Sequence, residues 1–358
     1  MNGAMVDESI YPYLIDPKET PAIWGGDALV KHYKKHADPN ATIGESWECW
    51  DANRVLNGPL AGSSIAQLRA SLGSALLGDL DPGQIFPILT KIIDARGSLS
   101  VQVHPDDAYA RRVEHQQNGK TECWYILSAQ EGAELVYGWT HDTTRKEYER
   151  RVADGSLGEI LRRVPVKAGE TYYLPSGTLH AIGAGIVLFE TQQASDLTYR
   201  IFDWNRVGTD GKPRELHVAK AADVLDYGHG SRGAVETIDY TFDGFARTAL
   251  IASSHFVVEH IVATDEPASL ETQGRPLIVM AMDGALMLEA GSEELRLEPW
   301  QTALIPAAAQ YCAVSAMGAP KAAFLFVTPP VKTNMAAVRM LAAGVEQARV
   351  DRFMKQFA

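Results

Sequence analysis

Cysteine is scarce in this chain: its 358 residues include Cys49, Cys123 and Cys312 and no others. An odd, widely spaced set makes no disulfide framework and fits no zinc-knuckle spacing, which points to reduced thiols and a cytoplasmic setting. No run of about 18 apolar residues occurs, which argues against membrane insertion. The start, MNGAMVDESIYPYL, lacks the basic stretch and apolar core of a signal peptide. Basic charge is in deficit as well. With 33 Lys and Arg against 45 Asp and Glu, the net charge of -12 argues against nonspecific nucleic-acid binding, while a local pocket for a small anion stays open. Neither a Walker-type phosphate loop nor a dinucleotide glycine fingerprint is present.

What is there is a globular composition, 46% hydrophobic and 22% charged, long enough for two or three domains. Residues 1–60 are rich in Trp, Gly and Pro and read as turns between short extended pieces. SSIAQLRASLGSALLG then has helical spacing of Ile65, Leu68, Leu72, Leu76 and Leu77, with Ser63 or Ser64 as N-cap. FPILTKIIDARGSLSVQVHP reads as two strands around Arg96-Gly97, and TECWYILS, AELVYGW, RVPVKAGETYYLP and GIVLFETQQ as further strands. TRKEYERRVADGSLGEILRRV forms a helical insertion between them. From about residue 235 a second series of strands begins. The tail from Lys332 carries Met335, Val338, Leu341, Val345, Val350, Phe353 and Phe357 at helical spacing, broken at Gly344, and is expected to pack on the body.

Two stretches carry chemistry. SLSVQVHP alternates Leu99, Val101 and Val103 with Ser100, Gln102 and His104, the period of a half-buried strand with one polar face. Taken alone, such a face is most simply wet. GETYYLPSGTLH spaces Gly169, Pro175, Gly177 and His180 so that glycine enters a strand, a turn redirects it, and a histidine is delivered to one face. This spacing resembles the second motif of the cupin superfamily, small β-barrels in which that histidine is usually a metal ligand. On that resemblance the polar face of SVQVH looks into the same cavity as His180. In GKTECWYIL the alternation places Lys120, Glu122 and Trp124 on one face and Cys123 on the other. Two imidazoles, a carboxylate and an amide oxygen suit a borderline divalent ion, zinc first, with manganese, iron or cobalt as other options.

The 17 residues between His104 and Glu122 exceed the usual cupin spacing. With Gln-x-His-Pro before them and Gly-Lys-x-Glu after, and with ESWE, NGPLAG, ELVYGW, ETQQASDLTYRIFDWNR and GKPRELHV, the chain resembles the bacterial class I mannose-6-phosphate isomerases over roughly residues 20–225. The resemblance implies a metal-dependent aldose-ketose isomerase interconverting mannose 6-phosphate and fructose 6-phosphate through a cis-enediol, with one zinc per chain and a small sugar phosphate as partner. It places the metal on Gln102, His104, Glu122 and His180, with Gln102 the weakest donor. It places catalysis on Arg200 and Glu190, and substrate phosphate on Ser100, Lys120, Lys91 and Arg206. The alternatives are a noncatalytic sugar-phosphate-binding cupin and a cupin dioxygenase, whose three-histidine set this chain does not offer.

The expected fold is mainly β: two cupin-like barrels or jelly rolls with helical insertions and a helical tail. Residues 1–234 would be the catalytic domain, 235–330 a degenerate second cupin and 331–358 the tail. Aligning the second half on the motif puts Trp300 and Ala308 at the glycines, keeps Pro306, and puts Tyr311 at the histidine, so no second metal is expected.

Overall fold

Side chains of a strand alternate between its faces, so a strand buried along its whole length must be covered on both sides. Ile88–Ala95 and Ile186–Gln193 are buried at all eight positions each, and they are neighbours at the centre of a six-stranded sheet. The computed structural model describes residues 9–38, 41–208, 211–228, 233–291, 293–330 and 335–358. These residues form four antiparallel sheets arranged as two sandwiches back to back.

The first sandwich sets the six-stranded sheet against a five-stranded one. The order in the larger sheet is Thr171–Leu174, Glu122–Ala129, Ile186–Gln193, Ile88–Ala95, Ile43–Cys49, Lys18–Gly26. In the smaller it is Tyr199–Phe202, Val101–Val103, His180–Ile182, Glu134–Trp139, Leu161–Pro165. Trp124, Ile126, Leu188 and Ile93 from one sheet meet Leu135, Tyr137 and Ile182 from the other to fill part of the interior. The outer face of the smaller sheet, with Val101, Val103 and Ala181, is covered by Tyr148 of helix Arg145–Asp154 and by Ala221 and Ala222 of helix Val218–Val224.

The opposite face of the larger sheet, with Ile88, Ile92, Cys123 and Phe189, packs on Val258, Met280, Leu304 and Leu325 of the second sandwich. That sandwich has an eight-stranded and a four-stranded sheet. Tyr13–Asp16 pairs with Thr302–Ile305 and with Arg54–Val55, so the N-terminal segment, grouped by sequence with the first domain, supplies two strands to the second. The interior of the second sandwich is apolar, with Phe245, Ile261, Val279, Leu286, Leu288, Val314 and Phe324. Trp300 takes the left-handed backbone (φ 71°) that Gly169 takes in the first sandwich (φ 88°), while Tyr311 lies 56% exposed and points away from the interior.

The single helical stretch expected over 63–78 is two helices. Ser64 and Gln67 form a reciprocal capping box that opens Ile65–Leu72. Gly73, at φ 52°, ends that helix before Ser74–Leu77. The tail forms Met335–Ala342 and Gln347–Lys355, broken where Gly344 has a left-handed φ, and it buries Met340, Val350, Phe353 and Phe357. The start of the tail, 331–334, and the first eight residues of the chain lie outside the described residues. No described helix is long and apolar enough to cross a membrane.

Helix Met335–Ala342 docks through a buried ion cluster. Glu259 accepts from Arg247 Nη1 at 2.7 Å, from Arg339 Nη2 at 2.9 Å and from the Tyr240 hydroxyl at 2.5 Å. Glu259→Ala would leave two buried guanidinium groups without their anion. It is expected to lower unfolding free energy by roughly 3–5 kcal/mol, measured by urea denaturation, with Glu259→Gln intermediate.

Candidate active site

The polar residues of the first sandwich gather at one end of its interior because cross-strand partners in an antiparallel sheet share a face. In the smaller sheet Tyr137, His180, Gln102 and Arg200 form one row. In the larger sheet Trp124, Glu190, Lys91 and Trp47 form the facing row. Glu122, opposite Gln192, lies one pleat further along.

Glu122 must return beside His104 after the long intervening segment. That segment folds as a short helix, Asp107–Tyr109, capped by Asp106, and a wider turn over Ala110–Glu114. Asp107 Oδ1 then accepts from Gly119 N at 2.8 Å and from Gln193 Nε2 at 3.0 Å. Gly119 crosses so close that a Cβ there would stand 2.4 Å from the Asp106 carbonyl carbon. The backbone of Lys120 donates to the Pro105 carbonyl at 3.0 Å, which closes the loop and starts the next strand.

The result is a buried cluster in which His104, Glu122 and His180 bring one ligand atom each to within 4.8 Å of one another. His180 Nδ1 donates to the Thr178 carbonyl at 2.9 Å, and His104 Nδ1 donates to the Leu197 carbonyl at 2.7 Å. Each bond fixes the tautomer, so both Nε2 lone pairs face Glu122. His104 Nε2 is 3.3 Å from Oε1 and His180 Nε2 is 3.6 Å from Oε2. Burial first, and the neighbouring charges after it, keep both imidazoles neutral, with His180 pushed down to about 3 and His104 also lowered. Burial works to raise the Glu122 carboxyl, but the Lys120 ammonium beside it leads the opposing pull that holds it well below the usual range.

Both oxygens of Glu122 are buried without a hydrogen bond of ordinary geometry. Lys120 Nζ is 2.5 Å from Oε1 and 3.5 Å from His104 Nε2. Gln102 Nε2 lies 3.2 Å from His180 Nε2, and half a turn of the amide would present its oxygen at the same point. Two neutral imidazole nitrogens, a buried carboxylate and an amide oxygen within reach of one another fit a divalent metal ion. Cys123 faces the opposite side of its strand, in the core between the sandwiches, and all three cysteines are free and buried.

Glu190 sits on the facing row. Its Oε2 accepts from the Trp124 indole N–H at 2.9 Å, and Lys91 Nζ stands 3.4 Å from Oε1. Lys91 also lies 3.5 Å from Glu45 Oε2 and above the Trp47 ring, so it is held between two carboxylates. Burial, and then the Glu122 charge, raise the Glu190 carboxyl against the pull of Lys91. The same Lys91, with its hydrogen-bond donor Trp47, keeps Glu45 low although burial opposes it.

Arg200, at the edge of the smaller sheet, is half-buried and donates through Nη1 to the Glu215 carbonyl at 3.0 Å. Ser100 is buried two residues before Gln102. Arg206 stands apart from the ligand cluster, with Nε and Nη2 both on Asp203 Oδ1, at 3.1 and 2.6 Å. Arg214 shares that carboxylate through Nε and Nη2 at 2.8 and 2.7 Å.

Sequence reasoning did not single out Glu45, Asp203 or Arg214 as site residues. Glu45 and Trp47 share a parity in GESWECWD that could have marked an inward face. The Thr178 and Leu197 carbonyls carry no residue signature at all.

Comparison with known proteins agrees with this architecture. A model of the phosphomannose isomerase type I catalytic domain matches residues 14–148. A mannose-6-phosphate isomerase of Streptococcus mutans is 37% identical over 301 residues, 82% of this chain and 92% of that protein. Mannose-6-phosphate isomerase ManA of Bacillus subtilis is 44% identical over 220 residues, 60% of this chain and 68% of that protein. A crystal structure of the Bacillus subtilis mannose 6-phosphate isomerase matches with a TM-score of 0.80 at 31% identity, covering 89% of this chain and 99% of that one. The sequence relatives and the matching sandwich pair agree: the chain belongs to the type I phosphomannose isomerases.

Proposed function

We propose that the chain interconverts mannose 6-phosphate and fructose 6-phosphate at the polar end of the first sandwich, with one zinc ion held by His104, Glu122 and His180 and completed by Gln102. The observation that carries this reading is the pair of imidazoles locked by backbone carbonyls with both Nε2 lone pairs turned on a buried carboxylate. A metal bound there supplies Lewis-acid polarisation of the sugar oxygens at C1 and C2.

The rest falls to the chain. Aldose-ketose exchange removes a proton from one of C1 and C2 and returns it to the other. Glu190 is the proton carrier: burial raises its carboxyl, and Lys91 stands beside it to offset the charge when it ionises. Arg200, in the same row as His180 and Gln102, meets negative charge that develops on the enediol oxygens. Lys120, lodged against Glu122 and His104, acts near the ligand cluster. Ser100, Lys120, Lys91 and Arg206 were the sequence candidates for the phosphate ester. Lys91 is buried between Glu45 and Glu190, whereas Arg206, though paired with Asp203, keeps part of its side chain exposed, so we assign the phosphate chiefly to Ser100 and Arg206. The ligand set of two imidazoles with an amide, in place of a third imidazole, favours this reading over a cupin dioxygenase.

Three measurements test it. Metal analysis is expected to find about one zinc per chain, lost together with activity in His180→Ala and His104→Ala while the fold persists in circular dichroism; full metal retention in either variant would contradict the site. Arg200→Ala is expected to keep the metal and to lower kcat by roughly 10²- to 10³-fold, with Arg200→Lys recovering only part because an ammonium lacks the planar fork. A rise in KM at wild-type kcat would reduce Arg200 to a ground-state contact. Free mannose is expected to have a much lower kcat/KM than mannose 6-phosphate, because the ester's binding energy orients the reacting carbons; equal values would remove the phosphate from recognition.

A further inference from the structure

Two of the described tryptophans spend their indole N–H on backbone carbonyls. Trp139 donates to the Asp226 carbonyl and Trp204 to the Leu99 carbonyl. Trp47, half-buried, and Trp124 end instead on carboxylates, Glu45 and Glu190, and of the two Trp124 is the one wholly buried. Its ring has no exposed surface, and its N–H ends on the Glu190 carboxylate at 2.9 Å, in the interior that also holds the ligand cluster. Its ring stands edge-on to His180, with centroids 5.3 Å apart and planes at 77°. On its own strand it shares a face with Glu122 two residues earlier.

We propose that Trp124 is a positioning residue for proton transfer, a rigid spacer that fixes the Glu190 carboxylate relative to the metal-holding imidazole of His180. The indole N–H ties down Oε2. That leaves Oε1, which lies toward Lys91 and has no hydrogen bond of ordinary geometry, as the oxygen that takes and returns the proton. A carboxylate free to turn would present either oxygen at varying distance, and a proton carrier must stand within hydrogen-bond reach of the carbon-bound proton it moves. An aromatic bicycle has only two side-chain torsions, both here confined by full burial, so one residue sets the separation between the acid-base group and the metal ligand. The inference rests on the assignment of Glu190 as proton carrier.

The test replaces Trp124 in the zinc-loaded enzyme with β-(3-benzothienyl)alanine, which keeps the bicyclic shape and exchanges the N–H for sulfur, alongside Trp124→Phe. The expected result in the benzothienyl enzyme is a kcat about tenfold lower, the scale of one lost hydrogen bond to a charged group. KM is expected within about twofold of wild type, with zinc content and thermal midpoint unchanged. Placed on Glu190→Gln, the same replacement is expected to lower kcat no further, because the two residues act as one unit. A wild-type kcat in the benzothienyl enzyme overturns the inference, as does a loss confined to KM. Loss of zinc also overturns it, since the ring would then act through His180 alone. If Glu190→Gln by itself keeps wild-type kcat, the assignment of Glu190 has failed, and that outcome is read in the single variant before Trp124 is touched.

Discussion

An unbalanced buried charge organises this protein. Glu45, Glu122 and Glu190 approach one another in an interior from which water is largely excluded, and Lys91 and Lys120 are the ammonium groups paired with them. Both imidazoles that touch Glu122 are held neutral, so they add no positive charge. An isolated carboxylate in such surroundings is expensive, and proteins answer by pairing it, neutralising it or giving it a metal. The first two answers are visible here, and the residues around Glu122 suit the third. Glu45 is paired and kept ionised by Lys91, Glu190 is displaced toward its neutral form, and Glu122 is paired with Lys120 and faces two imidazole nitrogens.

Holding that arrangement requires a scaffold that cannot relax. The two central strands of the six-stranded sheet are buried on both faces, one lined with the charged row and the other pressed against the second sandwich through Ile88, Ile92 and Phe189. A sheet backed by solvent could bend to let water reach Glu190 or Lys91; a sheet backed by a close-packed apolar layer resists it. The tail extends the clamp. It is tied to the second sandwich by Arg339 on Glu259, and its Phe357 ring meets Tyr173 edge-on at 5.3 Å, on the outer side of a strand of the catalytic sheet. The stability that offsets the polar end therefore comes from apolar contacts some distance from it.

This division explains what could be read in the sequence. Alternation over 99–104 and 120–124 sorted Gln102, His104, Glu122 and Trp124 from Val101, Val103 and Cys123, because strand parity is a local property. The spacing from Gly169 to His180 was legible for the same reason, as a turn and a strand start. Pairing between distant strands was not. Tyr13–Asp16 pairs with a strand almost three hundred residues on, and nothing in YLID specifies Thr302–Ile305 as its partner. The partners of Lys91 were equally hidden: its sequence marks a cation on a strand, while its place between Glu45 and Glu190 follows from the register of three strands. The tautomers of the two histidines depend on backbone carbonyls of Thr178 and Leu197, which any residue could supply.

The second sandwich shows what the same architecture becomes without the charge. Trp300 retains the left-handed backbone at the position where the first sandwich uses Gly169, a conformation that an L side chain adopts at a cost of about 1–2 kcal/mol. Pro306 still precedes a turn, and Ala307–Ala309 forms a single helical turn there. Gln310 then adopts a positive φ, and Tyr311 begins its strand facing outward while Cys312 is buried. The residue in the place of His180 thus points out of the interior, and the interior has closed into an apolar core of Leu, Val and Phe. Such a core gains stability from every side chain it buries, whereas the first interior must hold charged groups that oppose burial. The apolar sandwich can therefore serve as the rigid backing that the polar one needs, and the strained backbone it keeps at Trp300 is sustained by packing: that indole lies edge-on to Tyr33 at 4.6 Å, and its carbonyl accepts from Lys35, whose other partner is the buried Glu48.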